Sequence, residues 1–320
     1  MMSYKKYVGV IAFLLFLAAA IHMMLFYFNI GIPPKTTQHM HNFVQKKKAC
    51  AEAVPGRKIM VVAASGTALG VDAGEIEKAL EIPTVNFGLT MPLHRYIFVL
   101  AKKVLYDGDI VVLPLEYPLY LDNPYNMEYM PYIMAYDYPY FEDMKFTEKL
   151  RFIFAADTYS LAKGVYYQLR PEPDRKQEFK LEQMDTRGDR TPDFYDNDNI
   201  SIHKLWGEVT SYIYPPATNV PSPDTKEALR GFAEYCKAHH IRLYVTWPTL
   251  LRREASLSNE DAENLQKIAA FWTSCGVEVL GEPDEAFYEI GDYYDHATHL
   301  NQQGKEKYTR HLVDLLREKI

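Results

Sequence analysis

Three separated stretches of this chain carry residues able to do acyl chemistry together. The first is Ala64-Ser65-Gly66-Thr67, directly after the apolar run Lys58–Ala63 (KIMVVA). A serine hydroxyl is a weak nucleophile until an adjacent base takes its proton. The second is Asn86-Phe87-Gly88, after the short run Thr84-Val85-Asn86. Gly88 permits close backbone approach, and its N–H is a candidate oxyanion donor. The third is Asp295-His296-Ala297-Thr298-His299-Leu300-Asn301-Gln302-Gln303-Gly304. Here His299 reads as the base that later becomes the acid, and Asp295 as the group that holds its ring in one tautomer. His296 is the next candidate base, and Asp292 an alternative carboxylate partner. Each stretch alone has an ordinary reading as a strand end, a helix cap or a solvated loop. Their joint order along the chain is the specific signal.

These residues need a scaffold, and the pattern supplies one. Apolar, β-branched runs at Lys58–Ala63, Thr84–Asn86, Ile110–Leu115, Arg242–Trp247 and Val277–Leu280 read as five strands. Between them lie helical patterns over Gly74–Leu80, 92–105, 225–239 and about 259–274, and a last amphipathic one from Asn301 to about 318. Asp224 is the expected cap of the fourth strand's preceding helix. Ser258 with Asp261 fits a capping box, and Asn301 caps the last helix. Alternating strand and helix predicts a parallel sheet covered by helices on both faces. In open sheets of that kind, ligands bind beyond the carboxyl ends of the strands, where all three stretches fall. Residues 120–223 interrupt the rhythm with a Tyr-, Pro- and Asp-rich insertion, too long for a plain loop. It reads either as a cap whose tyrosines stack on sugars or as local packing.

The N-terminus carries a different message. Tyr7–Phe28 contains no Asp, Glu, Lys or Arg, and about 20 apolar residues are enough to cross a bilayer as a helix. Lys5 and Lys6 precede it and favour a cytoplasmic N-terminus; Lys46, Lys47 and Lys48 lie downstream. The expected organisation is a cytoplasmic tail at 1–6, a transmembrane helix at 7–29, a polar tether at 30–57 and one extracytoplasmic domain at 58–320. A cleaved signal peptide is the rival reading. His22 lies inside the span as a tolerated polar residue. Pro33-Pro34 ends the helix.

Composition bounds the rest. The 320 residues, 48% apolar with 25 Tyr and 16 Phe, suffice for one large core or two small ones. A net charge of −7 without a basic stripe argues against a nucleic-acid binder. Cys50, Cys236 and Cys275 show no metal-ligand spacing and no disulfide framework; they read as small apolar residues rather than as a bridge or a catalytic thiol.

The stretches VVAASGTALGVDAGEIEKALEIPTVNFGLT, GDIVVLPLEYPLY and YYDHATHLNQQG together resemble the SGNH/GDSL hydrolase superfamily. More narrowly, they resemble its membrane-anchored branch, akin to D-alanyl-transfer and alginate-acetylation proteins of bacterial envelope and exopolysaccharide systems. The resemblance spans roughly 58–120 and 224–320. It implies a three-layer α/β/α, flavodoxin-like fold with a five-stranded parallel sheet. It implies Ser65 as nucleophile, Asp295 and His299 as its partners, and N–H groups of Ser65 or Gly66 with Gly88 as the oxyanion site. No metal or organic cofactor is implied. The implied activity is ester hydrolysis or O-acyl transfer, often of acetyl groups, on a cell-surface polysaccharide, with a membrane-bound acyltransferase as partner by resemblance alone. The chain departs from the family at three points. Ala64 stands where an Asp usually precedes the serine, and Glu116 stands near the usual oxyanion Asn. The Asp295–His299 spacing is one residue longer than the common DxxH. Glu116 cannot donate a hydrogen bond while ionised, which keeps a second reading open: a catalytically inactive scaffold or carbohydrate-binding component of a polysaccharide machine.

Overall fold

A computed structural model describes residues 4–121, 128–170, 172, 180–195, 220–252 and 259–320. It is a mixed α/β structure that divides into two compact units: Met1–Asn42 with Asn123–Phe179, and Phe43–Asp122 with Lys180–Ile320.

The second unit is built on a sheet. Its strands are β1 (Ile59–Ala63), β2 (Thr84–Gly88), β3 (Ile110–Pro114), β4 (Arg242–Thr246) and, after the two-residue β5 (Leu250–Leu251), β6 (Glu278–Leu280). They lie in the order β2-β1-β3-β4-β6, and every neighbouring pair is parallel. β5 makes a separate short parallel pair with β7 (Phe287–Tyr288). Every residue of β1, β2 and β3 is buried. Strands covered on both faces have no solvent side, so they read as continuous apolar runs rather than alternating ones. Lys58 and Asp109 fasten the starts of β1 and β3. The Lys58 ammonium lies 2.8 Å from Asp109 with both side chains fully buried, and the Asp109 carboxylate also accepts the Lys58 and Tyr106 N–H groups.

All five expected strands are present, and their helices are close to expectation with two instructive differences. The pattern over 92–105 is split: a short 3-10 turn, Met91–Leu93, ends at His94, whose φ of 43° leaves helical space, and a helix resumes at Tyr96–Lys102. The helix expected from 225 runs Pro223–Ala238 with Ser222, not Asp224, at its N-cap. Proline has no N–H to leave unpaired and a φ preset for the first helical position, so it draws the start back. The helix Asn259–Ser274 follows Ser258, which lies outside the described residues, so its capping box does too. The last helix, Gln302–Arg317, is capped by Asn301 as expected, through Gly304 N–H.

The stretch 30–57 also departs from a polar tether. It contains an 18-residue helix, Lys35–Glu52. Its residues from Phe43 on belong to the sheet unit, where Phe43, Val44, Lys47, Cys50 and Ala51 are buried. The lysine triplet had masked the apolar positions beside it. The expected insertion is divided as well: Lys180 onward belongs to the sheet unit, and the turn around Asp185–Arg190 closes the β2 edge, Asn86 N–H donating to Arg187 O.

The other unit is helical. It holds α1 (Tyr4–Phe28), long and apolar enough to cross a membrane, and the helices Tyr129–Tyr136, Tyr138–Glu142, Phe146–Ala155 and Thr158–Leu169. Phe26, Phe141 and Phe152 pack ring against ring. Tyr129 and Tyr132 are buried, so these rings serve local packing rather than a sugar-stacking face. All three cysteines are free, with Cys50 and Cys236 buried.

Gly88 links fold to site. A Cβ at this position would run into the backbone N and Cα of Ala68. Gly88→Ala should therefore displace the helix that begins at Ser65 and lower stability by about 1–3 kcal/mol, the usual range for overpacking, measured by denaturant unfolding.

Candidate active site

β1 ends at Ala63, and the chain turns at once into α3 (Ser65–Gly70). Ser65 is the first residue of that helix and is half-buried, while Gly66 to Gly70 are buried. From the far end of the chain, the loop before the last helix comes up beside it. That loop is tightly determined. Tyr294 N–H donates to His299 O, Asn301 N–H to Asp292 O, and Leu251 N–H to Ala297 O. Asn301 grips both sides, accepting from Gly304 N–H and donating to Gly291 O at 2.7 Å.

The result is a three-residue hydrogen-bond relay. His299 Nε2 lies 2.8 Å from Ser65 Oγ, and His299 Nδ1 lies 2.8 Å from Asp295 Oδ1. A carboxylate accepts only, so Nδ1 carries the proton and Nε2 is left as the acceptor for the serine hydroxyl. Burial pushes the Asp295 carboxyl up, but the His299 hydrogen bond and the charges of His299 and His296 more than offset it, leaving it below its usual value and ionised. Ser65 thus meets His299, more than 200 positions away in sequence, which in turn meets Asp295. The alternatives are engaged elsewhere. His296 Nδ1 is 2.9 Å from Thr298 Oγ1, and burial lowers its basicity. Asp292 is 2.6 Å from the Lys307 ammonium.

The oxyanion residues are placed differently from expectation. Gly66 N–H donates to Glu116 Oε1 and Ala64 N–H to Glu116 Oε2, both at 2.9 Å. Glu116 thus takes the two N–H groups flanking Ser65. Gly88 N–H donates to its own near neighbour, Asn86 Oδ1, at 3.0 Å. Neither glycine N–H is free for an oxyanion in this arrangement, and the Ser65 N–H is the flanking donor that Glu116 leaves out. Gly66 and Gly88 serve instead as points of close approach. A Cβ on Gly66 would meet Glu116 Oε1 at 2.9 Å and Thr298 O at 3.1 Å.

A second anchor was hidden in the sequence. Asn86 Nδ2 donates to Thr67 O, Val71 O and Asp189 Oδ1, each at 3.1 Å. Its Oδ1 also accepts from the buried Lys47 ammonium. Lys47 further reaches Asn86 O and Gly188 O. Burial pulls Lys47 well below its ordinary 10.5 and lifts Asp189 above the usual carboxylate range. Within the run Lys46-Lys47-Lys48 only the helical phase distinguishes the buried residue, and Asp189 and Gly188 sit in an insertion without a motif. Among the described residues, no group of three or more His, Cys, Asp or Glu side chains is arranged to hold a metal.

Glu116 has a testable electrostatic signature. Burial raises its pKa, with the N–H groups of Ala64, Gly66 and Thr67 pulling the other way. A raised carboxyl is protonated more readily in the folded chain than in the unfolded one. Its stabilising contribution is therefore present at low pH and is lost as pH climbs from about 4.5 through the raised value. Glu116→Gln keeps the shape but offers one acceptor to two donors. It should cost about 1–3 kcal/mol through the orphaned N–H and abolish that component of the pH slope in denaturant titrations run across the window.

Compared with known proteins, the chain matches no family model and no curated protein.

Proposed function

We propose that this chain is a membrane-anchored serine esterase or O-acyltransferase of the SGNH type, acting on ester groups of a cell-envelope or exported polysaccharide. The observation that carries this reading is the relay from Ser65 Oγ through His299 to Asp295, with both links at 2.8 Å. The strand order β2-β1-β3-β4-β6 supports a three-layer, flavodoxin-like arrangement. The apolar α1, with Lys5 and Lys6 in its first turn ahead of the charge-free stretch, supports an anchor in the cell membrane, N-terminus cytoplasmic and sheet unit outside. The polysaccharide and a membrane-bound acyltransferase partner rest on the family resemblance.

The chemistry follows from the geometry. His299 Nε2 takes the Ser65 proton as Oγ attacks the ester carbonyl, and Asp295 steadies the imidazolium. The Ser65 N–H is the candidate donor to the forming oxyanion, since Glu116 takes the N–H groups of Ala64 and Gly66. As the tetrahedral adduct collapses, His299 returns the proton to the departing alcohol and an acyl-Ser65 remains. A second hydroxyl, from water or from a sugar, gives its proton to His299 and attacks the acyl carbon, and His299 returns that proton to Ser65 Oγ as the acyl group leaves. Water yields an esterase, and a sugar hydroxyl yields a transferase.

One observation favours a second reading. With Gly66 and Gly88 N–H groups already donated, the oxyanion site has fewer donors than the resemblance implies, and losing one such donor typically costs about 10²–10³ in rate. A catalytically silent scaffold of a polysaccharide complex would fit that deficit. A fluorophosphonate probe separates the two: labelling at Ser65 favours the enzyme, and absence of labelling on the folded full-length chain favours the scaffold. If the enzyme reading holds, Ser65→Ala and His299→Asn should each lower aryl acetate turnover by at least about 10³-fold, because the relay acts as one unit. Unchanged turnover in Ser65→Ala would remove Ser65 as nucleophile.

A further inference from the structure

The helical unit carries an apolar surface that its own packing does not use. Its last two helices are α8 (Phe146–Ala155) and α9 (Thr158–Leu169), after α2 (Lys35–Glu52), α4 (Ala73–Leu80), α5 (Tyr96–Lys102), α6 (Tyr129–Tyr136) and α7 (Tyr138–Glu142). One stripe of α8, Phe152 and Ile153, faces inward and is buried. Another, Phe146, Leu150 and Phe154, repeats at intervals of four, the spacing of a single helix face. These three are 74%, 37% and 56% exposed. Tyr159, at the start of α9, is 74% exposed. A contiguous apolar face of this kind marks a contact surface rather than a solvent face.

The level of this face along α1 is set by one side chain. His22 is buried within the unit. Its Nε2 lies 2.8 Å from Ile153 O at the end of α8, and its Nδ1 lies 2.8 Å from Thr158 Oγ1 at the start of α9. A carbonyl only accepts, so Nε2 donates to it and Nδ1 accepts from the threonine. The Phe154 ring stacks on the imidazole at 5.6 Å. The α8–α9 turn is therefore pinned to α1 at His22. Twenty residues counted from Tyr7, the first after Lys5 and Lys6, end at Phe26, and at about 1.5 Å per residue they cover about 30 Å, the thickness of a bilayer's hydrocarbon core. His22 lies one turn, about 6 Å, before that end, within the depth an interfacial contact reaches. The turn it holds falls at the same level, with Phe154 and Tyr159 on either side of it.

We infer that the α8–α9 hairpin is a second membrane contact: Phe146, Leu150, Phe154 and Tyr159 rest in the interfacial layer of the leaflet from which α1 emerges. This rests on α1 crossing the bilayer. An aromatic- and leucine-bearing face lying in the plane of the interface is the usual form of such a contact, and tyrosine, apolar in body and polar at its tip, suits that depth. The occupant is lipid rather than a protein partner because Phe154, on this face, stacks on His22 of α1, the helix long and apolar enough to cross a membrane.

Tryptophan scanning of the full-length chain tests this. Ile21→Trp, Phe146→Trp and Phe154→Trp are made singly and reconstituted into phosphatidylcholine vesicles containing acyl-brominated phosphatidylcholine. Emission is compared with that of the unsubstituted chain. Added emission at all three positions should fall by about half, and the α8 positions should respond more to bromine near the headgroup end of the acyl chain than near its methyl end, as an interfacial depth requires. Quenching at Ile21 without quenching at Phe146 or Phe154 would overturn the hairpin contact while leaving the anchor intact. No quenching at Ile21 would show instead that α1 is not in lipid, and the inference would fall with the anchor.

Discussion

The site depends on one buried carboxylate. Glu116, just past the end of β3, accepts the N–H groups on both sides of Ser65. Ser65 stands where a strand becomes a helix within a single residue, and such a turn leaves N–H groups with no intrahelical partner. A neutral amide side chain has one carbonyl to offer. A carboxylate has two oxygens in a fixed plane and can satisfy both N–H groups at once, with charge assistance to each. Desolvation opposes this, which is why the Glu116 pKa is raised despite the donors around it. The turn is held rigidly, but the N–H of Gly66 is spent on structure rather than left for a reacting oxygen.

From the other side, α3 is held by its carbonyls. Asn86 donates to Thr67 O and Val71 O, while its own oxygen takes Lys47 and Gly88 N–H. The short helix thus has an acceptor beneath its N–H groups and a donor beneath its carbonyls, each matched to the polarity of the end it meets. Six residues cannot form a stable helix on their own. These two side chains, and the close approach that Gly88 allows, substitute for the length α3 lacks. Lys47 extends the arrangement into the helix Lys35–Glu52, so residues far from Ser65 in sequence carry part of its positioning.

What could be read from the sequence and what could not divide along physical lines. The five strands were legible because burial on both faces makes each one an unbroken apolar run. The relay was legible because Ser65, Asp295 and His299 sit at element boundaries, where side chains are freed from packing. The Asn301 cap was legible from local chemistry alone. The roles of Gly66, Gly88 and Glu116 were not. A backbone N–H carries no sequence signal about which acceptor it meets, and Glu116 and Asn86 are brought to α3 by the parallel registry of β1 with β2 and β3. Lys47 escaped because charge normally marks a solvated face. Its burial follows from three oxygens converging on it.

The three residues between Asp295 and His299 show how the loop sets their pairing. A separation of four would place two side chains on one face of a helix, yet this segment is a turn rather than a helix. His299 N–H bonds back to His296 O, and the His299 carbonyl accepts Tyr294 N–H. The chain closes on itself around His296-Ala297-Thr298 and brings Asp295 and His299 back side by side, 2.8 Å apart. His296 is turned to Thr298, Asp292 is held by Lys307, and Thr298 O receives the Thr249 hydroxyl. Each neighbour able to compete for the imidazole is thereby committed elsewhere. The pairing of His299 with Asp295 follows from the closure of the turn, and not from the interval between them in sequence.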